Sequence, residues 1–452
     1  MGAPQAPPPP MGNMLQMTRQ GRAMGAMKPP QMARGGNVSQ DGMQYALMMN
    51  KGGSMKFKIN PANTASVPEP DFTPYDRERP TTKSLGTAFE EAIRHHLSLN
   101  PSQRAANSAR AEANIGQIIG KTPKGEVKDL LGTNFKLKKT GENTDIKLPD
   151  GRGLETTGLA LSPAFKYGSF TTCPNSASCA KECLGKTSGA YYYAGGADDL
   201  NEFKGPRLNS LKKTLAFLQN PHDFAVKLYE EINDAKAMAA ADNNHLGVRL
   251  NVLSDIHPYV HKSIIQAHPD VTFYDYTKNN TNPVAENHYY TYSSTGVTQP
   301  DVENPNSNWK QMRKRLDSGD NVAMVFSDRD HLPEVVHDAE TNKTYRVVNG
   351  DEHDFRPLDA QEEGVDGVII GLTNKRVSGS PITAHADSSG FFVHYDPVLE
   401  KGEKGKLKYR PDAPRNKRGL MRAGAIPTNK VVTIMPQTKQ AVNLTNDDGD
   451  KV

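Results

Sequence analysis

Short apolar runs alternate with helix-forming segments through the second half of the chain. Residues 247–253, 271–277, 288–293, 321–326, 344–349 and 367–372 read as strands, with helices expected over 258–267 and 308–316. Near-continuous apolar strands separated by helices are the pattern of βα units and a mostly parallel sheet. The expected fold class is therefore α/β. A complete or partial parallel βα barrel is the economical way to close so many strands.

Upstream, residues 87–99 carry Phe89, Ala92, Ile93 and His96 along one side of an amphipathic helix. Asn100 and Pro101 form an N-cap and first-turn pair for a second helix to about residue 119, and Asn220 with Pro221 does the same for a helix to about 241. Residues 207–218 read as another helix. Residues 134–137 and 145–148 look like short strands, Gly151-Arg-Gly153 like a turn, and 157–165 like a longer apolar strand. Residues 391–395 are a candidate edge strand. His95 and His96 are adjacent, so on a helix they point apart rather than chelating together, and a solvated or half-buried face is expected for them.

Hydrophobic content is 36% and mean hydropathy −0.67, so part of the chain is expected to stay outside any core. Residues 1–70, rich in Met, Gly, Pro and Gln, fit a disordered arm that cannot offset its ordering entropy by burial. The expected organisation continues with a helical segment at 85–130, an α/β domain at 131–398, and an extended tail at 399–452. That tail is basic from Lys401 to Arg422 and acidic at its end. A net charge of +4 neither demands nor excludes nucleic acid. No apolar run approaches membrane-spanning length, so no membrane partner is expected and a soluble intracellular protein is the default.

All three cysteines lie in one stretch, Thr172-Cys-Pro-Asn-Ser-Ala-Ser-Cys-Ala-Lys-Glu-Cys-Leu184, directly after the apolar run at 157–165. Cys173, Cys179 and Cys183 are an odd number and make a poor disulfide framework. Soft thiolates on one short loop can converge on a metal. Three of them suit a [4Fe-4S] cluster whose fourth iron stays open to an exogenous ligand such as S-adenosylmethionine. The C-x5-C-x3-C spacing differs from the C-x3-C-x2-C run of radical S-adenosylmethionine enzymes. Zinc with a His or Asp as fourth ligand, or cysteines that merely pack, remain alternatives.

Parallel α/β sheets present their chemistry at the carboxyl ends of the strands, and polar residues concentrate there. Arg249, Asn251, Ser254 and Asp255 follow the strand at 247–253; Asp275, Thr277 and Lys278 close the next; Ser293, Ser294, Ser327 and Asp328 follow two more. Asn349-Gly-Asp-Glu-His-Asp-Phe-Arg356 gathers Asp351, His353, Asp354 and Arg356, and the strand at 367–372 leads to Lys375. A charge inside an apolar strand is costly unless paired or lining a pocket, so either a polar site or a simple Arg249–Asp275 pair across neighbouring strands is expected. His353 is a candidate general base or fourth metal ligand. His257, His261, His331 and His337 read as surface residues. Phosphate-loop, H-E-x-x-H and G-x-S-x-G motifs are absent. The basic stretch at 401–422 reads as a solvated linker.

Gly158-Leu-Ala-Leu-Ser-Pro-Ala164, Cys-Pro…Cys…Cys-Leu, Lys213-Thr…Phe217, Val248-Arg-Leu-Asn251, Ser254-Asp-Ile256 and Phe273-Tyr-Asp-Tyr-Thr-Lys278 occur in order. The 349–356 block with Asp359, Val368-Ile-Ile-Gly-Leu-Thr-Asn-Lys375 and Asp387-Ser-Ser-Gly-Phe-Phe-Val393 follow them. Over about residues 130–395 this series resembles the phage- and plasmid-associated gene product eighty-eight family. The resemblance implies a phage or prophage origin and a cysteine motif like a degenerate radical S-adenosylmethionine site, but no reaction. The resulting expectation is an iron–sulfur enzyme in the host cytoplasm or on the virion. Its cluster would sit on Cys173, Cys179 and Cys183, and Arg249, Asn251, Asp255, Asp275 and Lys278 would line the mouth. Asp351, His353, Asp354 and Arg356 would serve as acid–base groups, a nucleotide or nucleic acid would be the substrate, and the N-terminal arm would dock on another phage protein. The alternatives are a zinc-stabilised binding protein and a virion structural protein.

Overall fold

A computed structural model describes residues 67, 70–122, 125–126, 129–141, 146–176, 179, 183, 205–300, 303–328, 331–359, 367–374, 390–395, 399–401, 407–409 and 431–436, all within the compact unit Thr64–Val452. The N-terminal arm, Lys375, Asp387, most of the basic stretch and the acidic end lie outside the described residues.

Two helices come first. Helix α1 (Thr82–Ser98) begins with a capping box in which Thr81 and Ser84 exchange side-chain-to-backbone hydrogen bonds. That box starts the helix five residues before the expected Thr87. Helix α2 (Pro101–Ile119) opens on the expected Asn100–Pro101 pair, with Gln103 completing a second capping box. His96 is fully buried rather than on a solvated face. Its Nε2 meets Glu230 Oε1 at 2.8 Å and its Nδ1 meets Asn107 Nδ2 at 3.0 Å, so the ring joins α1 to α2 and a later helix.

Next come β1 (Lys121–Thr122) and β2 (Gly125–Glu126), which pair with each other, then β3 (Leu131–Gly132) and helix α3 (Phe135–Gly141). Residues 135–137 are helical where a strand was expected, because Asn134 Oδ1 caps the Leu137 N–H at 2.9 Å. Residues 146–148 are likewise no strand; they lead into a turn in which the Gly151 N–H reaches the Leu148 carbonyl at 2.8 Å. Strand β4 (Gly153–Leu159) runs to the cysteine region, past the small ladder of β5 (Lys166–Tyr167) and β6 (Phe170–Thr171). Helices α4 (Gly205–Gln219) and α5 (Pro221–Ala241) follow, the second capped by Asn220 as expected.

The alternation then unfolds as β7 (Asn244–Arg249), α6 (Lys262–Ala267), β8 (Thr272–Thr277), β9 (His288–Ser293), α7 (Trp309–Asp317), β10 (Val322–Phe326), β11 (Val335–Asp338), β12 (Lys343–Asn349) and β13 (Ile369–Thr373). A hairpin of β14 (Leu399–Lys401) and β15 (Leu407–Tyr409) precedes β16 (Val431–Ile434).

Ten of these strands form one sheet in the order β16-β11-β12-β13-β10-β9-β8-β7-β4-β3. Seven neighbours, from β4 through β7, β8, β9, β10 and β13 to β12, run parallel; β3 and β11 are antiparallel to their neighbours, and β16 is parallel to β11. The fold is α/β around a large, mostly parallel sheet. Among the described residues β16 and β3 end the sheet without pairing to each other, so the expected barrel closure is not seen there. Residues 390–395 join by a bridge between Val393 and Phe326 beside β10, which pairs with β9 only at Val322 and Ala323.

One apolar core fixes α1, α2, α4 and α5 to the sheet through residues such as Leu85, Phe89, Ile115, Phe217, Phe224 and Phe273. Each such buried side chain contributes roughly 1.5–3 kcal/mol. A second core holds Trp309 and Met312 of α7 against Val322, Met324, Ile369 and Ile434. Both cores lie along the strands, which leaves the carboxyl ends of the parallel strands to polar residues.

Candidate functional site

Strand β4 delivers the chain to the cysteines through a tight turn. Thr172, with no exposed surface, donates its hydroxyl to the Ser162 carbonyl at 2.7 Å and accepts the Phe165 N–H at 2.9 Å. Ala164 sits in the left-handed region at φ 48°, an uncommon conformation for a residue with a Cβ. Its N–H points at Cys173 Sγ, 3.3 Å away. Burial pushes the Cys173 thiol up, and this N–H opposes the shift.

Asp255 ties that turn to the end of β8. Its backbone N–H donates to the Thr172 carbonyl at 2.8 Å. Its carboxylate accepts the Thr277 hydroxyl at 2.7 Å, the Lys278 N–H at 2.9 Å and Asn279 Nδ2 at 2.9 Å. Asn279 closes the loop from the other side by accepting Asn175 Nδ2 at 2.8 Å. Asn251 shapes the turn before Asp255: its Oδ1 accepts from Ser254 Oγ and from the Ile256 N–H, both at 2.9 Å.

Lys278 is the cation among the thiols. Burial works to lower its pKa, but Cys179, Asp255, Cys173 and Cys183 act on it through space in the opposite sense, and the net shift is upward. Its ammonium makes no hydrogen bond or ion pair among the described residues. None of the three cysteines is in a disulfide and all are half-buried, and Cys179 packs against Phe391 and Phe392. Among the described residues no three His, Cys, Asp or Glu side chains are gathered as metal ligands.

Arg249 and Asp354 form a second centre, with Nη1 and Oδ2 3.0 Å apart and both side chains buried. The expected cross-strand pair of Arg249 with Asp275 is not the contact made: Asp275 Oδ1 instead accepts the Asn251 N–H at 2.8 Å. Burial drives Asp275 up to about 7, against the pull of Arg249 and of two backbone N–H groups. The Arg249 guanidinium lies over the Tyr276 ring, 5.0 Å from its centroid, a stabilising cation–π arrangement. Asp354 is further positioned by Thr140, whose hydroxyl accepts its N–H at 2.8 Å, and by the Tyr274 hydroxyl at 3.4 Å.

The acidic block at 349–356 is divided among several tasks. Asp351 accepts from the N–H and hydroxyl of Thr373, at 3.0 and 2.7 Å, and so ties β12 to β13. His353 shares Asp359 with Arg356, at 3.3 and 3.2 Å, and its own carbonyl and Nδ1 accept from Arg356 Nη2. Arg356 is buried.

Arg249, Asp275, Asp354 and Arg356 therefore share one buried region, while Asp255, Lys278 and the cysteines share another beside it, linked through β7 and β8. Tyr274, Tyr276, Thr140 and Asp359 also belong to this site; Tyr274 and Tyr276 lie in the 273–278 block and Asp359 beside the 349–356 block, while Thr140 had no motif signal. Lys213 and Thr214 prove structural: Lys213 Nζ donates to the Leu130 carbonyl and Thr214 Oγ1 accepts the Ser162 N–H. His261 is buried, not superficial. A cavity of about 240 Å³ lies elsewhere, beside α1 at Phe72, Glu91, Arg94 and His95.

The donor set, three thiols outside any disulfide on one short stretch beside the half-buried Lys278, fits a thiophilic metal centre in type. A family model described as gene product 88 matches residues 128–395. No curated protein and no solved structure matches the chain.

Proposed function

The chain belongs to the gene product 88 family of phage proteins, and from that premise we propose that it is an iron–sulfur, radical S-adenosylmethionine-like enzyme. One observation carries this reading: the short stretch that bears Cys173, Cys179 and Cys183, none of them in a disulfide, is held at the carboxyl end of β8 by the Asp255–Thr172 and Asn175–Asn279 hydrogen bonds. Cys173, Cys179 and Cys183 would hold the cluster. When bound, such a cluster supplies an electron and an open iron position for S-adenosylmethionine.

The protein's own groups have separable tasks. Thr172 and Asp255 fix the position of Cys173. Lys278 offsets negative charge among the thiolates. Asp275, balanced near neutrality, can hold or release a proton at Oδ2 while Oδ1 stays on the Asn251 N–H. Arg249 and Arg356 would orient the substrate. A partial barrel is the form of sheet that goes with this reading, supported by the unbroken sequential run β4-β7-β8-β9-β10. The N-terminal arm would tether the domain to another phage protein in the host cytoplasm or on the virion.

The test is anaerobic purification with iron, sulfide and zinc analysis and a visible spectrum, on wild type and a Cys173→Ala/Cys179→Ala/Cys183→Ala variant. A brown protein with iron and sulfide that the variant lacks is expected. Zinc without iron or sulfide would move the assignment to a metal-stabilised binding protein.

A further inference from the structure

Buried hydrogen-bond donors are almost always satisfied, so a cluster left unsatisfied in one place calls for a missing partner. Arg249 Nε, Arg356 Nη1 and the Tyr276 hydroxyl are all buried and have no hydrogen-bond partner among the described residues. The two arginines are more than nine-tenths buried. Tyr276 joins them. Arg249 stacks on its ring at 5.0 Å. Tyr276 packs in a cluster with Ile370 and Leu372, and a Cβ on Gly350 would meet those same two side chains and Arg356 Nη1, the last at 3.0 Å. Glycine at 350 therefore lets Ile370, Leu372 and Arg356 Nη1 approach the backbone more closely than any other residue would allow.

The remaining nitrogens of each guanidinium are already engaged. Arg249 Nη1 holds Asp354 and its Nη2 reaches the Asn251 carbonyl; Arg356 Nη2 is on His353, while its Nε lies 3.2 Å from Asp359 Oδ2 as an ion pair without a hydrogen bond. The carboxylates thus fix the forks in place and leave Arg249 Nε and Arg356 Nη1 without any partner among the described residues. Two guanidinium N–H groups and a phenol O–H are all donors, and a group that accepts from all of them has to be rich in oxygen lone pairs.

We infer that Arg249 Nε, Arg356 Nη1 and the Tyr276 hydroxyl form a subsite for an oxyanion of the substrate, a phosphate or a carboxylate. It supplies the substrate class for the site proposed above and rests on that reading for its role. Its binding chemistry needs no cluster.

The experiment is isothermal titration of the full-length chain, purified in air, with inorganic phosphate and separately with acetate. This keeps the result independent of whether the cysteines carry a cluster. Saturable binding in the millimolar range is expected. Tyr276→Phe, which keeps the ring beneath Arg249 and deletes one donor, should weaken it about fivefold, and Arg356→Lys about tenfold or more. Tighter phosphate than acetate binding assigns a phosphoryl group, the reverse a carboxylate. Absence of saturable binding by both anions up to about 20 mM, or binding that neither substitution changes, overturns the proposal, the second outcome marking an adventitious ion only. Should Arg356→Lys not fold, Tyr276→Phe decides alone.

Discussion

Lys278 donates its backbone N–H to Asp255 Oδ2 at 2.9 Å, and Asp255 donates its own N–H to the carbonyl of Thr172, the residue before Cys173. Asp255 thereby couples the end of β8, through its carboxylate, to the start of the cysteine stretch, through its backbone N–H. Replacing Asp255 with Ala strands the Thr277 hydroxyl and the Lys278 N–H, and leaves Asn279 Nδ2 only its bond to the backbone carbonyl of residue 255. A loss of roughly 2–4 kcal/mol is expected in urea unfolding, with faster labelling of Cys173 by a thiol reagent. An unchanged labelling rate would show that the two segments are held together by other contacts.

Thr172 makes a sharper test of how Cys173 is presented. Thr172→Val keeps the shape but removes the hydroxyl that donates to Ser162 and accepts from Phe165. The variant should be less stable by about 1–3 kcal/mol. Thr172→Ser should restore most of that, because it returns the hydroxyl and gives up only a methyl group. Equal stability of the Val and Ser variants would remove the hydroxyl from the account.

Asp275 gives a pH dependence with a definite sign. Its folded pKa stands at about 7, above an unfolded value near 3.9. The folded state therefore binds the proton more tightly. The associated stability is complete below about pH 4 and is lost as pH rises through about 7. Asp275→Asn keeps an acceptor for the Asn251 N–H and cannot ionise. In paired urea melts the variant should gain on wild type between pH 5 and pH 8 by about 1–3 kcal/mol. A constant difference across that range would mean that Asp275 is ionised throughout.

The fold was legible where local pattern and tertiary need agree. Asn100 and Asn220 start helices where the sequence places them, and His288–Ser293 is a strand over the residues expected. Local pattern misled at residues 134–137, where alternating Phe and Leu resemble a strand but Asn134 caps a helix. It could not reveal that β13 inserts between β10 and β12, or that Val431–Ile434 returns to pair with β11, since those are long-range choices. Site residues were visible one by one as polar side chains at strand ends. Their partners were not: Arg249 meets Asp354 across 105 positions, and Tyr276, though inside the 273–278 block, gave no sign that Arg249 would stack on its ring.

Two buried histidines impose the opposite pH dependence to Asp275. Burial holds His261 down to about 3 and His288 to about 4, below the ordinary value near 6.5. Both stay neutral in the folded protein while the unfolded chain protonates. Stability is therefore full above about pH 6.5 and is lost as pH falls toward those folded values. Each group should withdraw on the order of 2 kcal/mol between pH 7 and pH 5. His261→Leu, set among Phe89 and Phe217, should remove its share of the acid sensitivity. An acid limb as steep in the variant as in wild type would assign the loss to other groups.

Gly296 controls how the segment at 390–395 joins the sheet. It adopts φ +108°, and a Cβ there would lie 2.0 Å from the Gly390 carbonyl oxygen and 2.2 Å from Asn304 Nδ2. Those two atoms are themselves hydrogen-bonded at 2.9 Å, which anchors the segment carrying Phe391 and Phe392. Neither the backbone angle nor the contact can be relieved by moving a flexible side-chain end. Gly296→Ala should therefore cost about 3 kcal/mol or more. Because Cys179 packs on Phe391 and Phe392, the same substitution should expose Cys179 to thiol reagents while Cys173, held by Thr172 and Ala164, stays protected. Labelling followed by peptide mass analysis separates the two sites. Equal acceleration at both cysteines would mean that the loop opens as one unit.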